Sequence, residues 1–170
     1  DSVGAKDELL RLLEIRVPEL IEYQSEAYAR DYVAFVSRVK RAESGRSQLS
    51  EAVARYLFKL MAYKDEYEVA RLHLRSEFKS SLSDQFGQNA TVHYQLHPPL
   101  LKALGLKRKI SLGRWFDAGY WLLTRMKGLR GSALDIFGYA NVRKLERELI
   151  QEYRQMIEIE LGALSDSTYE

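Results

Sequence analysis
The 170-residue chain contains no cysteine. Disulfides, thiolate-held zinc and iron–sulfur clusters are therefore excluded within it. Nor is there a run of about 18 apolar residues, so no segment reads as a membrane-spanning helix. Lys6 and Asp7 interrupt the start with no apolar stretch behind them, which is not the pattern of a signal peptide. Charge of one sign is also lacking: 26 Lys and Arg against 24 Asp and Glu give a net charge of +2, too little to argue for nucleic acid. Histidine is limited to His73, His93 and His97. The last two would share a face only on a helix, whereas their segment reads as extended, so no metal site is expected. What is present, 46% hydrophobic and 29% charged residues, is the composition of an ordinary globular domain. The length suits one domain over 1–170. These features are compatible with a cytoplasmic protein, and a first residue of Asp1 rather than Met suggests a part of something longer.

The expected fold is mainly α, a single helical domain of about five to seven helices with a small β-hairpin around 91–111. Asp7 can cap a short helix through Arg16, and Pro18 suits the first turn of a second, long one, where its missing N–H is not needed. Ile21, Tyr28, Tyr32, Phe35 and Val39 keep a helical period to the Ser44–Gly45 pair. A helix opened by Ser47 or Ser50 follows, then a short one from Ser76 to Gly87. Residues 91–96 alternate, meet Pro98 and Pro99, and can pair with 109–111. An aromatic helix spans 113–127, the glycine-bearing stretch 128–139 reads as an ordered loop, and Asn141 caps a last helix to about Leu161.

The run KLMAYKDEYEVARL at 59–72 stands out. On one unbroken helix, Val53, Leu57, Leu60, Met61 and Leu72 share a sector with Lys64, Glu68 and Arg71 at its middle. Burying unpaired charge is expensive, so these residues are expected to pair. In the last helix Val142, Leu145, Leu149, Tyr153 and Met156 read as the core face, with Glu146 projecting from it. The expectation is a polar network of Lys64, Glu68, Arg71, Arg130 and Glu146. No catalytic residue emerges: Glu66 points away from Glu68, no nucleophile has an adjacent base, and Gly128, Gly131 and Gly138 match neither a Walker nor a dinucleotide fingerprint. The basic residues between Lys102 and Lys109, with Arg125, Lys127 and Arg130, alternate with Trp115, Tyr120 and Trp121. They read as solvated cations beside core aromatics, not a nucleic-acid stripe.

The run at 59–72, together with HPPLL at 97–101, LRGSALDIFGY at 129–139, NVRKLERELIQEYR at 141–154 and YQSEAYARDYVAFVSRVKRAE at 23–43, resembles the C-terminal domain of the long, fused indolepyruvate ferredoxin oxidoreductase family. The resemblance implies a parent enzyme that decarboxylates aryl-pyruvates oxidatively with thiamine diphosphate and magnesium, passing electrons through iron–sulfur centres to ferredoxin and forming an acyl-CoA. Those cofactors would belong to other domains, none to this chain, and no catalytic residue carries over. Lys64, Asp65, Glu66, Glu68, Arg71, Pro98, Pro99, Arg130, Gly131, Asp135 and Glu146 carry over only as pattern positions.

The chain is thus expected to be an accessory domain that packs against the catalytic domains of its parent, with no nucleic-acid or membrane partner. The alternative from another class is a ligand module, in which a loop of Lys127, Gly128, Arg130, Gly131 and Asp135 holds CoA phosphates. A nucleic-acid binder is a weaker alternative. The packing reading also predicts an exposed apolar patch near the proline turn or the glycine loop.

Overall fold
The computed structural model describes residues 3–87, 93–96, 110–113 and 116–164. Among these, seven α-helices run in chain order as α1 Val3–Tyr23, α2 Glu26–Ala42, α3 Gln48–Met61, α4 Glu66–Leu74, α5 Ser76–Phe86, α6 Asp117–Arg125 and α7 Asn141–Ala163. A 3₁₀ turn, Met126–Leu129, continues α6. The expected strands form as β1 Tyr94–Leu96 and β2 Ile110–Leu112, antiparallel, with Gln95 opposite Ser111. The fold is mainly α. Pro98, Pro99, His97, the basic residues 102–109 and Trp115 lie outside the described residues. No helix among the described residues is long and apolar enough to cross a membrane.

The chain divides into two compact units, one of Asp1–Tyr63 with Leu145–Glu170, the other of Lys64–Lys144. In the first, α1, α2 and α3 pack with the later turns of α7 around Leu20, Tyr32, Phe35, Val36, Val39, Val53, Leu57, Met61, Ile150 and Ile157. Pro18 does not open a helix here. α1 runs through it, and the next helix starts instead at Ser25, whose hydroxyl accepts the Tyr28 N–H. Pro18 is exposed, so the carbonyl that loses its intrahelical donor can turn to water. Ile21, on the last turn of α1, is correspondingly exposed and not in the core.

Three tyrosines fasten α3. Tyr32 donates to the Ala54 carbonyl (2.8 Å), Tyr28 to that of Met61 (3.0 Å) and Tyr23 to that of Tyr63 (3.1 Å). The second occupies a carbonyl that the end of α3 leaves without a helical partner, and the third holds the connection just beyond it. At the other end Ser47 is the cap residue but makes no side-chain cap bond. Buried Glu43 does so instead, its carboxylate accepting the N–H groups of Leu49 (2.7 Å) and Ser50 (2.9 Å). A carboxylate at a helix N-terminus also meets the favourable end of the helix dipole.

The core face of α7 differs from expectation. Ile150 and Ile157 are buried with Tyr153 against them, while Val142, Leu145, Leu149 and Met156 are exposed. The helix has two apolar stripes, and the polar residue within each decides between them. Burying the stripe of Leu149 and Met156 would bury Glu152. The stripe chosen carries Arg154, which reaches Asp31 (2.5 Å) and lies over the Phe35 ring.

Burial pushes the Tyr32 pKa up to about 12, against the nearby Arg16 charge. A phenol whose folded pKa exceeds its unfolded value of about 10 holds its proton more tightly when folded. The stability it contributes is complete below about pH 10 and is lost as pH rises through the folded pKa. Denaturant melts between about pH 9 and 12 should therefore show stability falling, and Tyr32→Phe should flatten the slope by up to about 1.4 kcal/mol per pH unit. An unchanged slope in the variant would contradict this assignment.

Candidate functional site
The second unit is organised by two buried carboxylates. The run at 59–72 is not one helix. α3 ends at Met61, and α4 opens at Asp65, whose Oδ1 accepts the Glu68 N–H (2.8 Å). Asp65 followed three residues later by Glu68 is the spacing of a helix start. The break changes the phase of the two halves, so the mixed stripe of charges does not exist. Lys64 is exposed in the connection, and Glu68 and Arg71 pair with each other within α4 through two contacts of 2.8 Å. Glu146 is half-buried on α7, in the first unit.

Arg130 is the distant cation that meets this helix start. Its Nε and Nη2 contact the two oxygens of Asp65 at 2.5 and 2.8 Å, and both side chains are only 3% exposed. The fork of a guanidinium matches a carboxylate in this way, and the pair is bidentate. Asp65 thus serves as helix cap and counter-ion at once. The guanidinium also lies 5.4 Å from the centre of the Tyr67 ring.

Asp135 is the second carboxylate. Its Oδ2 accepts the Gly131 N–H (2.8 Å), and its Oδ1 accepts the Gly138 N–H (3.0 Å) and the Tyr67 hydroxyl (3.1 Å). The loop is therefore wrapped around one of its own side chains. Gly131 has φ +75°, and with Arg130 at φ −52°, ψ 124° and the Ser132 N–H on the Leu129 carbonyl it makes the turn that needs a positive φ at its third residue. Gly138 is required by space: a Cβ there would stand 2.4 Å from Asp135 Oδ2. Phe137 packs edge-on against Tyr67, and the Tyr139 hydroxyl closes the loop on the Ala133 carbonyl (2.8 Å). Burial raises the Tyr67 pKa well above the tyrosine range, reinforced by the charge of Asp135.

Wrapping the polar groups inward leaves apolar ones outside. Leu134 is 70% exposed, and Ile136 and Tyr139 are exposed beside it. The glycine loop thus carries three exposed apolar side chains, and the proline turn, the other place expected for an apolar patch, lies outside the described residues. Of the residues expected to form a polar network, Glu68 and Arg71 come together, Arg130 pairs with Asp65 instead, and Lys64 stands outside. Of the expected ligand loop, Arg130 and Asp135 are buried and engaged internally, Lys127 is half-buried in the 3₁₀ turn, and Gly128 and Gly131 are exposed. Tyr67 and the capping role of Asp65 are the functional residues that sequence reasoning missed.

Among the described residues the remaining titratable groups do not assemble a reaction centre. Glu66 points to Arg143 (3.5 Å) while Glu68 points to Arg71, so the two carboxylates diverge. Burial raises the Glu66 pKa, with Arg143 opposing it. His73 is held by the Val69 carbonyl (2.7 Å) and stacks on Tyr120 in the small core between α4 and α6. Among the described residues no group of three or more His, Asp or Glu side chains is placed to hold a metal ion.

Comparison with curated proteins gives no match, and comparison with solved structures gives none either. A family model does match, over residues 9–170, and the chain belongs to that family, the family of unknown function DUF6537.

Proposed function
We propose that the chain is an accessory packing domain of an indolepyruvate ferredoxin oxidoreductase-like enzyme, a cytoplasmic thiamine-diphosphate-dependent parent that uses ferredoxin as acceptor. The observation that carries the packing role is the loop 129–140. A buried carboxylate and a buried ion pair fix its shape, and Leu134, Ile136 and Tyr139 face outward. A loop held this firmly loses little entropy on docking, and its apolar tip gains most from leaving water. The parent assignment is supported by the motif resemblance alone. Any iron–sulfur or thiamine chemistry would belong to other domains, since this chain offers no cysteine for a cluster. The geometry favours packing over a CoA site. Arg130, the cation best placed in the loop sequence to meet a phosphate, is buried against Asp65.

The test is to purify the polypeptide or complex that carries this chain and assay it with indolepyruvate, CoA and ferredoxin, with and without Leu134→Ser, Ile136→Ser and Tyr139→Ser together. Ferredoxin reduction that the triple variant lowers by loosening the assembly would support the proposal. Absence of thiamine diphosphate and of any 2-oxo acid activity would end the parent assignment. A separate titration of CoA into the chain should leave its NMR spectrum unchanged at millimolar ligand, and shifts confined to 127–131 would favour the ligand module.

A further inference from the structure
A second surface, independent of the loop and of the proposed parent, lies on α7 in the first unit. Leu145, Leu149, Met156 and Ile159 are 53%, 40%, 50% and 71% exposed. Their spacing places them within a sector of about 80° along roughly 21 Å of helix. The buried side of α7, at Ile150 and Ile157, faces about 125° away, so the helix is apolar on two sides and the bundle covers one.

The charges that α7 itself sets within and beside the open stripe, from Leu145 to Ile159, are all of one sign. Exposed Glu152 sits at its centre, and exposed Glu148 and Glu160 lie within about 60° on either side. The two arginines of this stretch, Arg147 and Arg154, fall on the far side, and Arg154 is paired with Asp31. Between Leu145 and Ile159, therefore, no Lys or Arg of α7 itself lies on the stripe side of the helix. We infer that this face docks an amphipathic helix of a protein partner whose apolar ridge is flanked by lysines or arginines. Charge complementarity selects that occupant. An anionic membrane or nucleic acid would meet three carboxylates, and a second copy packed antiparallel about the stripe centre would set Glu152 against Glu152. The stripe is about four turns long, enough for a helix-in-groove contact read at i, i+4, i+7 and i+11 spacing.

The probe is a synthetic helical peptide of about 18 residues with leucine on its ridge and lysine on both flanks, compared with one in which glutamate replaces lysine. Titrated into the 170-residue chain, the lysine peptide should bind at least about tenfold more tightly than the glutamate peptide, with affinity falling as salt is raised. Leu149→Ser with Met156→Ser should weaken binding by about tenfold or more while leaving the melting curve in place, because both side chains are exposed. Glu148→Lys with Glu152→Lys should reverse the preference between the two peptides. Equal affinity for both peptides would overturn the inference, as would binding indifferent to the Ser substitutions. A dimer in sedimentation equilibrium that those substitutions dissociate would overturn it too, by giving the stripe to a second copy.

Discussion
Arg130→Ala should lower the stability of the unit Lys64–Lys144 by about 3–5 kcal/mol, because it leaves the Asp65 carboxylate charged and buried with its counter-ion gone. The cost arises chiefly from the charge left behind, and only secondarily from the attraction removed. Asp65→Ala should be at least as damaging. It strands the guanidinium and also uncaps α4, where losing an N-cap carboxylate costs about 1 kcal/mol by itself. The double variant should cost clearly less than the sum of the two singles, with a coupling of about 1–3 kcal/mol. Trp121 lies on α6 in this unit, so its fluorescence reports the unit's unfolding while circular dichroism reports both units. A chain of this size shifts its melting temperature by about 2–4 °C per kcal/mol, which makes the expected change roughly 10 °C. A shift of a degree or two, or strict additivity, would show the pair to be solvated.

Much of this architecture is legible in the sequence, and the failures have identifiable causes. The helical composition, the helix from Ser76, the short strand pair and the last helix all follow from period and punctuation. The break between α3 and α4 was missed because 59–72 holds neither proline nor glycine. The signal that marks it is the Asp65–Glu68 capping spacing, easily read as two more surface acids. Pro18 misled in the opposite sense: a long helix can run through a proline where the freed carbonyl can turn to water, and exposure is a tertiary property. The face of α7 was ambiguous for a similar reason. Two apolar stripes were present, and the choice between them turns on whether Glu152 or Arg154 finds a partner. Asp31, the partner of Arg154, lies 123 residues away. Arg130 and Asp135 were identified from sequence as notable, yet their partners Asp65 and Tyr67 are 65 and 68 residues distant, and no local pattern announces such a pairing.

Asp135→Ala should unfold the loop 131–139 before the rest of its unit, at a cost of about 2 kcal/mol. Two donors lose their acceptor, the Gly131 N–H and the Tyr67 hydroxyl, while the Gly138 N–H loses the carboxylate but keeps the carbonyl of residue 135 (3.0 Å). A buried donor left without a partner costs about 1–3 kcal/mol, and partial hydration of the opened loop keeps the total below the sum. Asp135→Asn should fall between, since its amide replaces one acceptor oxygen with a donor that faces a backbone N–H. Gly138→Ala should cost about 2–4 kcal/mol by a different route. Its Cβ would lie 2.4 Å from Oδ2 and 2.7 Å from Cγ of Asp135, a side chain that three hydrogen bonds keep from moving aside. The two causes predict a specific non-additivity. In the Asp135→Ala background the two closest atoms are gone and only the Cβ of residue 135, at 3.2 Å, remains, so adding Gly138→Ala should cost less than about 1 kcal/mol more. Hydrogen exchange at the Gly131 amide, whose bond is to the Asp135 carboxylate, gives the local readout, and its protection should vanish in either single variant. Protection that survives Asp135→Ala would mean the loop is shaped by its turns alone. The outward placement of Leu134, Ile136 and Tyr139 would then not depend on the buried carboxylate.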